Sequence, residues 1–184
     1  LLEIGTEEIP ARFLYGGMLK LKDAAEKIFS DFRIPCKSIK TYSTPRRLAL
    51  LAELDETQQA VEKEVWGPPV NAAFDNNGNP TKAAEAFAKS HNISVTNLLK
   101  KEKGKGIYIA AVIKEPAQPT ENLLPELLPK IILSLNFPKS MRWGSGKIRF
   151  ARPIHWILAL YHNKKVQFEI DGIKSSAATR GHRF

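Results

Sequence analysis

The feature that most constrains the fold of this 184-residue chain is one apolar stripe near its start. Leu14, Met18, Leu21, Ala25, Ile28 and Phe32 recur at steps of four and three. That is the spacing of one helix face, and it predicts a helix over about 10–32. Such a face must be buried against another element, and the flanking segments supply candidates. "LLEIG" (1–5) reads as a short apolar strand, and "SIKTYS" (38–43) and "RRLALLAEL" (46–54) read as two strands around a Thr-Pro junction. The order βαββ predicts an α+β layer with an antiparallel sheet. Gly16 and Gly17 each weaken the helix by about 1 kcal/mol relative to Ala, so close backbone packing is expected there.

Downstream the pattern changes. "WGPPVNAAFDNNGNP" from Trp66 is rich in Gly, Pro and Asn and reads as a connection with several turns. Thr81 is a candidate N-cap for the helix former "KAAEAFAKSH", and Ser94 for a second short helix, "VTNLLKK". "GIYIAAVIKE" reads as a strand over 107–114. In "PTENLLPELLPKIILSL" the apolar positions have helical spacing, but Pro125 and Pro129 predict a helix that starts late or is kinked. "IHWILALYHN" and "KKVQFEI" predict a hairpin turning near His162–Lys164. The fold class expected is α+β, with mixed or antiparallel sheet layers, packed helices and a small helical insert. Three regions are expected: 1–65 (βαββ), 66–105 (connection and helix-turn-helix insert), and 106–184, a basic α+β unit cut short at its end. The absence of an initiator Met and the ending "TRGHRF" predict a piece of a longer protein.

Charge is unevenly placed. From Phe137 onward there are 10 Lys/Arg against 2 Asp/Glu, an imbalance that points to a polyanionic partner, nucleic acid before membrane. The stretch "PKSMRWGSGKIRFARPIHW" holds Lys139, Arg142, Lys147, Arg149 and Arg152 and no carboxylate. Cations there can neutralise phosphates, and aromatics can stack on unpaired bases. Strand-borne Trp156 and Phe150 read better as core residues. "STPRR" places Arg46 and Arg47 after a turn, open to phosphate or to an internal carboxylate. "TRGHRF" adds Arg180 and Arg183 around Gly181.

Several chemistries have no signature here. There is no phosphate-binding glycine loop, and His91, His155, His162 and His182 lack metal-ligand spacing. Cys36 is alone, which excludes an internal disulfide and suits a reducing, cytoplasmic setting. No apolar run is long enough for a membrane span. Glu7 and Glu8, next to Pro10, read best as helix-start acids.

Six phrases, "LLEIGTEEIP", "STPRRLAL", "WGPP" with "AFD" and "NGNPTKAAEAFAKSHNI", "KSMRWGS", "FARPIHWI" and "TRGHRF", together resemble the N-terminal part of the glycyl-tRNA synthetase β subunit of the bacterial heterotetrameric type. The resemblance spans the chain. It implies a class II aminoacyl-tRNA synthetase of α₂β₂ organisation, in which the α subunit forms glycyl-adenylate with ATP and Mg²⁺. The β subunit is implied to bind tRNA(Gly) and to continue into an HD-type domain and an anticodon-binding region. The chain is then expected to be non-catalytic and to hold no cofactor or metal itself. Its partners would be the α subunit, tRNA(Gly) and the rest of the β subunit, with no membrane. Lys139, Arg142, Arg152, Arg180 and Arg183 are the expected tRNA-facing residues, with Arg46 and Arg47 as second choices. The rival readings are a purely structural, subunit-binding module, and an editing or phosphoesterase-like activity using His155 or His182.

Overall fold

A computed structural model of the chain describes residues 1–75, 77–104, 106–143 and 146–181. Along the first half run β1 (Leu2–Thr6), α1 (Ala11–Asp31), β2 (Cys36–Thr44), β3 (Arg47–Leu54), β4 (Val61–Pro69), α2 (Val70–Ala73) and α3 (Lys82–Ser90). The second half adds β5 (Leu99–Lys103), β6 (Gly106–Glu115), α4 (Thr120–Ser134), β7 (Ile154–Tyr161), β8 (Lys164–Lys165), β9 (Glu169–Ile170) and β10 (Ile173–Ser176). The chain forms an α+β fold of two compact units, one made of Leu1–Gln59 with Gln118–Phe184 and the other of Ala60–Ala117.

The first unit is built on a mixed sheet in the order β2-β3-β1-β7-β10-β9, with β8 paired to β7. Only β7 and β10 run parallel; the remaining pairs are antiparallel. Register places Leu2 beside Leu50 and Ala159, and Ile4 beside Leu48 and Ile157. These six residues form one apolar face, since directly opposed residues share a side of the sheet. They belong to one core with Leu21, Ala25 and Phe29 of α1 and Leu127, Ile131 and Ile132 of α4.

The predicted helix is present, with its buried face turned slightly from the expected stripe. Gly17, Leu21, Ala25 and Phe29 are buried, while Leu14, Met18, Ile28 and Phe32 are half-buried at its margins. The rotation follows from Gly17. A Cβ there would stand 2.9 Å from the Phe137 ring, so this turn of helix packs through its bare backbone. At Gly16 a Cβ would meet nothing within 4 Å.

Helix α4 begins at Thr120, directly after Pro119, so of the two expectations, a late start or a kink, the late start is not met. Pro125 and Pro129 each delete one i→i−4 bond, freeing the carbonyls of Glu121 and Pro125. Both prolines lie on the half-exposed side, away from buried Leu123, Leu124, Leu127 and Leu128, where water can reach those groups. Packing of the buried face outweighs the two lost bonds. The β7–β8 hairpin turns at His162, whose φ is 50°, as expected. Asp171 and Gly172, with φ of 52° and 85°, make the tight turn between β9 and β10.

The division of the chain differs from the three contiguous regions expected, with boundaries at 65 and 105. Val61–Pro69 is a strand whose antiparallel partner is Gly106–Glu115, and β5 pairs the other side of β6. A boundary at 105 would cut that β5–β6 hairpin. The chain instead leaves the first unit after Gln59 and returns at Gln118. A clasp joins the two ends: Gln58 N donates to Gln118 O (3.0 Å), Thr120 N to Glu56 O (2.8 Å) and Thr120 Oγ1 to Asp55 O (2.6 Å).

The helix-turn-helix insert is also corrected. Thr81 caps α3 as predicted, accepting from Ala83 N. After Ser94 there is only a 3₁₀ turn, Val95–Asn97, and Leu99–Lys103 is strand. The small core of this unit is Ala73, Ala84 and Ile109, flanked by Val70, Phe74, Phe87 and Leu98.

Two outcomes check this account. Gly16→Ala is expected to raise thermal stability by roughly 0.5–1 kcal/mol, whereas Gly17→Ala lowers it by forcing Phe137 aside; paired melting curves read both. Asp75 accepts bonds from the backbone and side-chain amides of Asn79 and from the Asn77 amide, which hold its carboxyl below the usual aspartate range. Its stabilising effect is therefore complete above the ordinary aspartate pKa and lost as pH falls through the depressed value. The stability gap between wild type and Asp75→Ala, measured by denaturant titration, should begin to narrow below about pH 4 and go on narrowing as pH falls through the depressed value.

Candidate functional site

Strand β1 is buried along its whole length. Its core face carries Leu2 and Ile4, and its opposite face carries Glu3 and Gly5. Register sets Gly5 between Arg47 on β3 and Trp156 on β7. A Cβ on Gly5 would fall 2.0 Å from indole atoms of Trp156, so the ring lies directly on glycine backbone. This is a space requirement that only glycine meets.

The indole N–H of Trp156 donates to Glu3 Oε1 at 2.8 Å, and the Thr179 hydroxyl donates to the same oxygen at 2.7 Å. Arg47 Nε stands 3.3 Å from it, as an ion pair without hydrogen-bond alignment. The Glu3 side chain is 9% exposed, and a carboxylate this buried requires such partners. Arg47 Nη2 also donates to the Arg180 carbonyl. The guanidinium groups of Arg47 and Arg180 lie 5.7 and 5.4 Å from the Trp156 ring centroid, within cation–π range. The chain after β10 therefore crosses the face of the sheet opposite the core.

A cleft of about 860 Å³ opens beside this cluster. Its walls come from four separated segments, 6–8, 44–47, 155–156 and 180–181. At its mouth His155 Nε2 lies 2.8 Å from Glu7 Oε1, and Arg46 Nη2 donates to Glu8 Oε1 at 2.7 Å. The neighbouring glutamates thus diverge to different partners. Neither sits in the first turn of α1, which replaces the helix-start reading. An adjoining recess shares Glu7, Glu8, Pro45 and Arg46 and adds Arg152. Arg152 Nε donates to the Glu8 carbonyl at 3.0 Å.

The structure therefore gathers Arg46, Arg47 and Arg180 around the cleft, and Arg46 with Arg152 around the adjoining recess. Lys139 and Arg142 are exposed on the segment after α4 and do not line the cleft. Arg183 and His182 lie outside the described residues. Among the described residues, Arg180, Lys139 and Arg142 have no carboxylate partner. Phe150 is buried and Trp143 packs on the core, so these aromatics anchor the basic stretch. A bridge between Met141 and Phe150 closes its loop, and Asp171 Oδ2 accepts from Ile148 N at 3.3 Å.

Sequence reasoning passed over Glu3, Thr179 and the organising role of Trp156. The signal for the first was present, a charged residue inside the apolar strand "LLEIG". Among the described residues, no three His, Cys, Asp or Glu side chains are grouped to hold a metal ion. Cys36 is exposed, but partial desolvation raises its thiol pKa above the ordinary value. No helix among the described residues is long and apolar enough to cross a membrane.

Gly5→Ala is expected to destabilise the fold by about 1–3 kcal/mol through overpacking. It should also alter the near-ultraviolet dichroism as Trp156 is displaced; unchanged spectra would contradict the packing described. Glu3→Gln should lower the melting temperature by several degrees, because Arg47 then lies beside a neutral amide.

The chain is similar to known proteins along its whole length. The family model described as "Glycyl-tRNA synthetase beta subunit" matches residues 1–184. The glycine–tRNA ligase beta subunit of Thermodesulfovibrio yellowstonii is 53% identical over 184 residues. Those of Moorella thermoacetica and Clostridioides difficile are 46% and 44% identical over 185 residues. All of this chain is covered in each case, but it spans only 27% of each relative's length.

Proposed function

This chain belongs to the glycyl-tRNA synthetase beta subunit family, and on that premise we propose that its arginine-lined cleft and the adjoining basic segment bind tRNA(Gly). The ligase would be an α₂β₂ assembly in the cytoplasm, with glycine activated by ATP and Mg²⁺ in the alpha subunit. The role of this region is positioning. Contacts to tRNA far from the reacting carbonyl hold the 3′ end where the adenylate forms, so binding energy supports the transfer step.

The observation that carries this reading is Arg180. Its guanidinium is exposed at the cleft, held over Trp156 by cation–π contact, and free of a carboxylate partner among the described residues. It is a pre-positioned charge of the kind that binds phosphate. Lys139 and Arg142 add exposed cations on the same basic half of the chain.

A second reading, a structural module that binds the alpha subunit or the rest of the beta subunit, is favoured by three internal pairings. Arg46 is held by Glu8, Arg47 by Glu3 and Arg152 by the Glu8 carbonyl. On that reading these arginines shape the protein and touch no RNA.

The test uses full-length beta subunit carrying Lys139→Ala, Arg142→Ala and Arg180→Ala together, assembled with the alpha subunit. Binding of tRNA should weaken, and the slope of log affinity against log salt should flatten by about 0.7–0.9 for each phosphate left without its cation. The KM for tRNA should rise while ATP–pyrophosphate exchange is unchanged. An unaltered salt slope with normal aminoacylation would leave the structural reading standing.

A further inference from the structure

The second unit carries a surface that the cleft does not use. Its helices cover one face of the β4-β6-β5 sheet, the face of buried Ile109. On the other face, register places Trp66, Ala110 and Leu99 in one row across the three strands. Ala110 is fully buried beneath its neighbours, while Trp66 is 37% and Leu99 43% exposed. Tyr108 lies next along β6, opposite Lys101, and Gly106 lies opposite Lys103. A Cβ on Gly106 would stand 3.1 Å from the Tyr108 ring, so that ring leans over bare backbone toward the open end of the sheet.

Two lysines reach across the central strand from the β5 edge. Lys101 Nζ is 2.8 Å from Glu64 on β4, and Lys103 Nζ sits 4.9 Å from the centroid of the Trp66 ring. Every residue of β5 is exposed. The face therefore combines two aromatic rings with ammonium groups on long, flexible stems, one of them already stationed over an indole π face.

We propose that this sheet face binds unpaired nucleotides of an RNA strand. The bases stack on Trp66 and Tyr108, and Lys101 and Lys103 swing from Glu64 and the indole to the phosphates. Charge decides between occupants. An apolar protein segment laid on this face would bury the ammonium groups of Lys101 and Lys103, and of the two only Lys101 has a carboxylate partner among the described residues, Glu64. Burying an ammonium group without such a partner is unfavourable. A nucleotide strand offers a π surface and an anion at each step. This surface shares no residue with the cleft, so each can fail while the other holds.

The 184-residue chain can be titrated against fluorescein-labelled 12-nucleotide U and A single strands and a 12-base-pair RNA duplex, with anisotropy as the readout. The single strands should bind more tightly than the duplex. Trp66→Leu keeps apolar bulk without a ring and should weaken single-strand binding about tenfold, while Trp66→Phe stays within about threefold of wild type. Lys101→Ala with Lys103→Ala, both at exposed positions, should flatten the salt slope by about 1.4. Arg180→Ala in the cleft should leave the effect of Trp66→Leu in place. Equal binding of duplex and single strand, or silence of both the Trp66→Leu and the lysine variants, overturns the proposal. So does shielding of Trp66 from acrylamide quenching by the alpha subunit alone, which would make this face a protein contact.

Discussion

A buried carboxylate organises the first unit. Glu3 sits on a strand with no exposed side, and its oxygen is approached by an indole N–H, a hydroxyl and a guanidinium from three distant parts of the chain. Such a charge is tolerated only when its donors are in place. The need for partners thus orients Trp156 and Arg47 and draws Thr179 across the sheet. Gly5 is the complementary requirement, because the indole can reach Glu3 only by lying where a side chain would otherwise be. The cleft is a by-product of that arrangement. Its walls are the segments that these contacts pull together, and its cations are those which remain once the internal pairs are made.

The second unit solves a different problem. Fifty-eight residues, 60–117, depart and return through a clasp of backbone and threonine bonds between 55–58 and 118–120, so their insertion leaves the first sheet intact. Its core cluster has just Ala73, Ala84 and Ile109 as fully buried members, so the unit depends on its hairpin ladder and on capped turns. Thr81 bonds both ways, accepting from Ala83 N and donating to Ala72 O at 2.7 Å. The two surfaces therefore differ in physics as well as in position along the chain. One rests on guanidinium groups held by a polar cluster, the other on rings and flexible lysines on an open sheet.

Much of the local structure was legible in the residues. The apolar spacing of α1, the Thr81 cap, the hairpin at His162 and the close packing at Gly17 all follow from short-range rules. The errors fell where a competing interaction is non-local. Leu99–Lys103 has good helix formers, but pairing with β6 overrides that weak propensity. The prolines of α4 argued for a late start or a kink, yet burial of its leucine face lets the helix begin before both and run past them. The predicted boundaries followed composition, whereas the true ones follow strand pairing between residues some fifty positions apart. At the site, arginines flagged for their charge came together from three segments, 46–47, 152 and 180, but their partners were invisible because no local pattern links residue 3 to residue 179.

The sequence by itself determined the three long helices, most strands, the basic character of the second half and membership of the family, because periodicity, turn chemistry, charge and a run of in-register phrases are properties of neighbouring residues. Tertiary structure alone decided which arginines are tied up internally and which remain available. It also decided that Trp156 lies against Gly5 while Trp66 stands exposed. The reason is that burial and ion pairing depend on which distant strands share a face, and β1 acquires both of its neighbours from segments more than forty residues away.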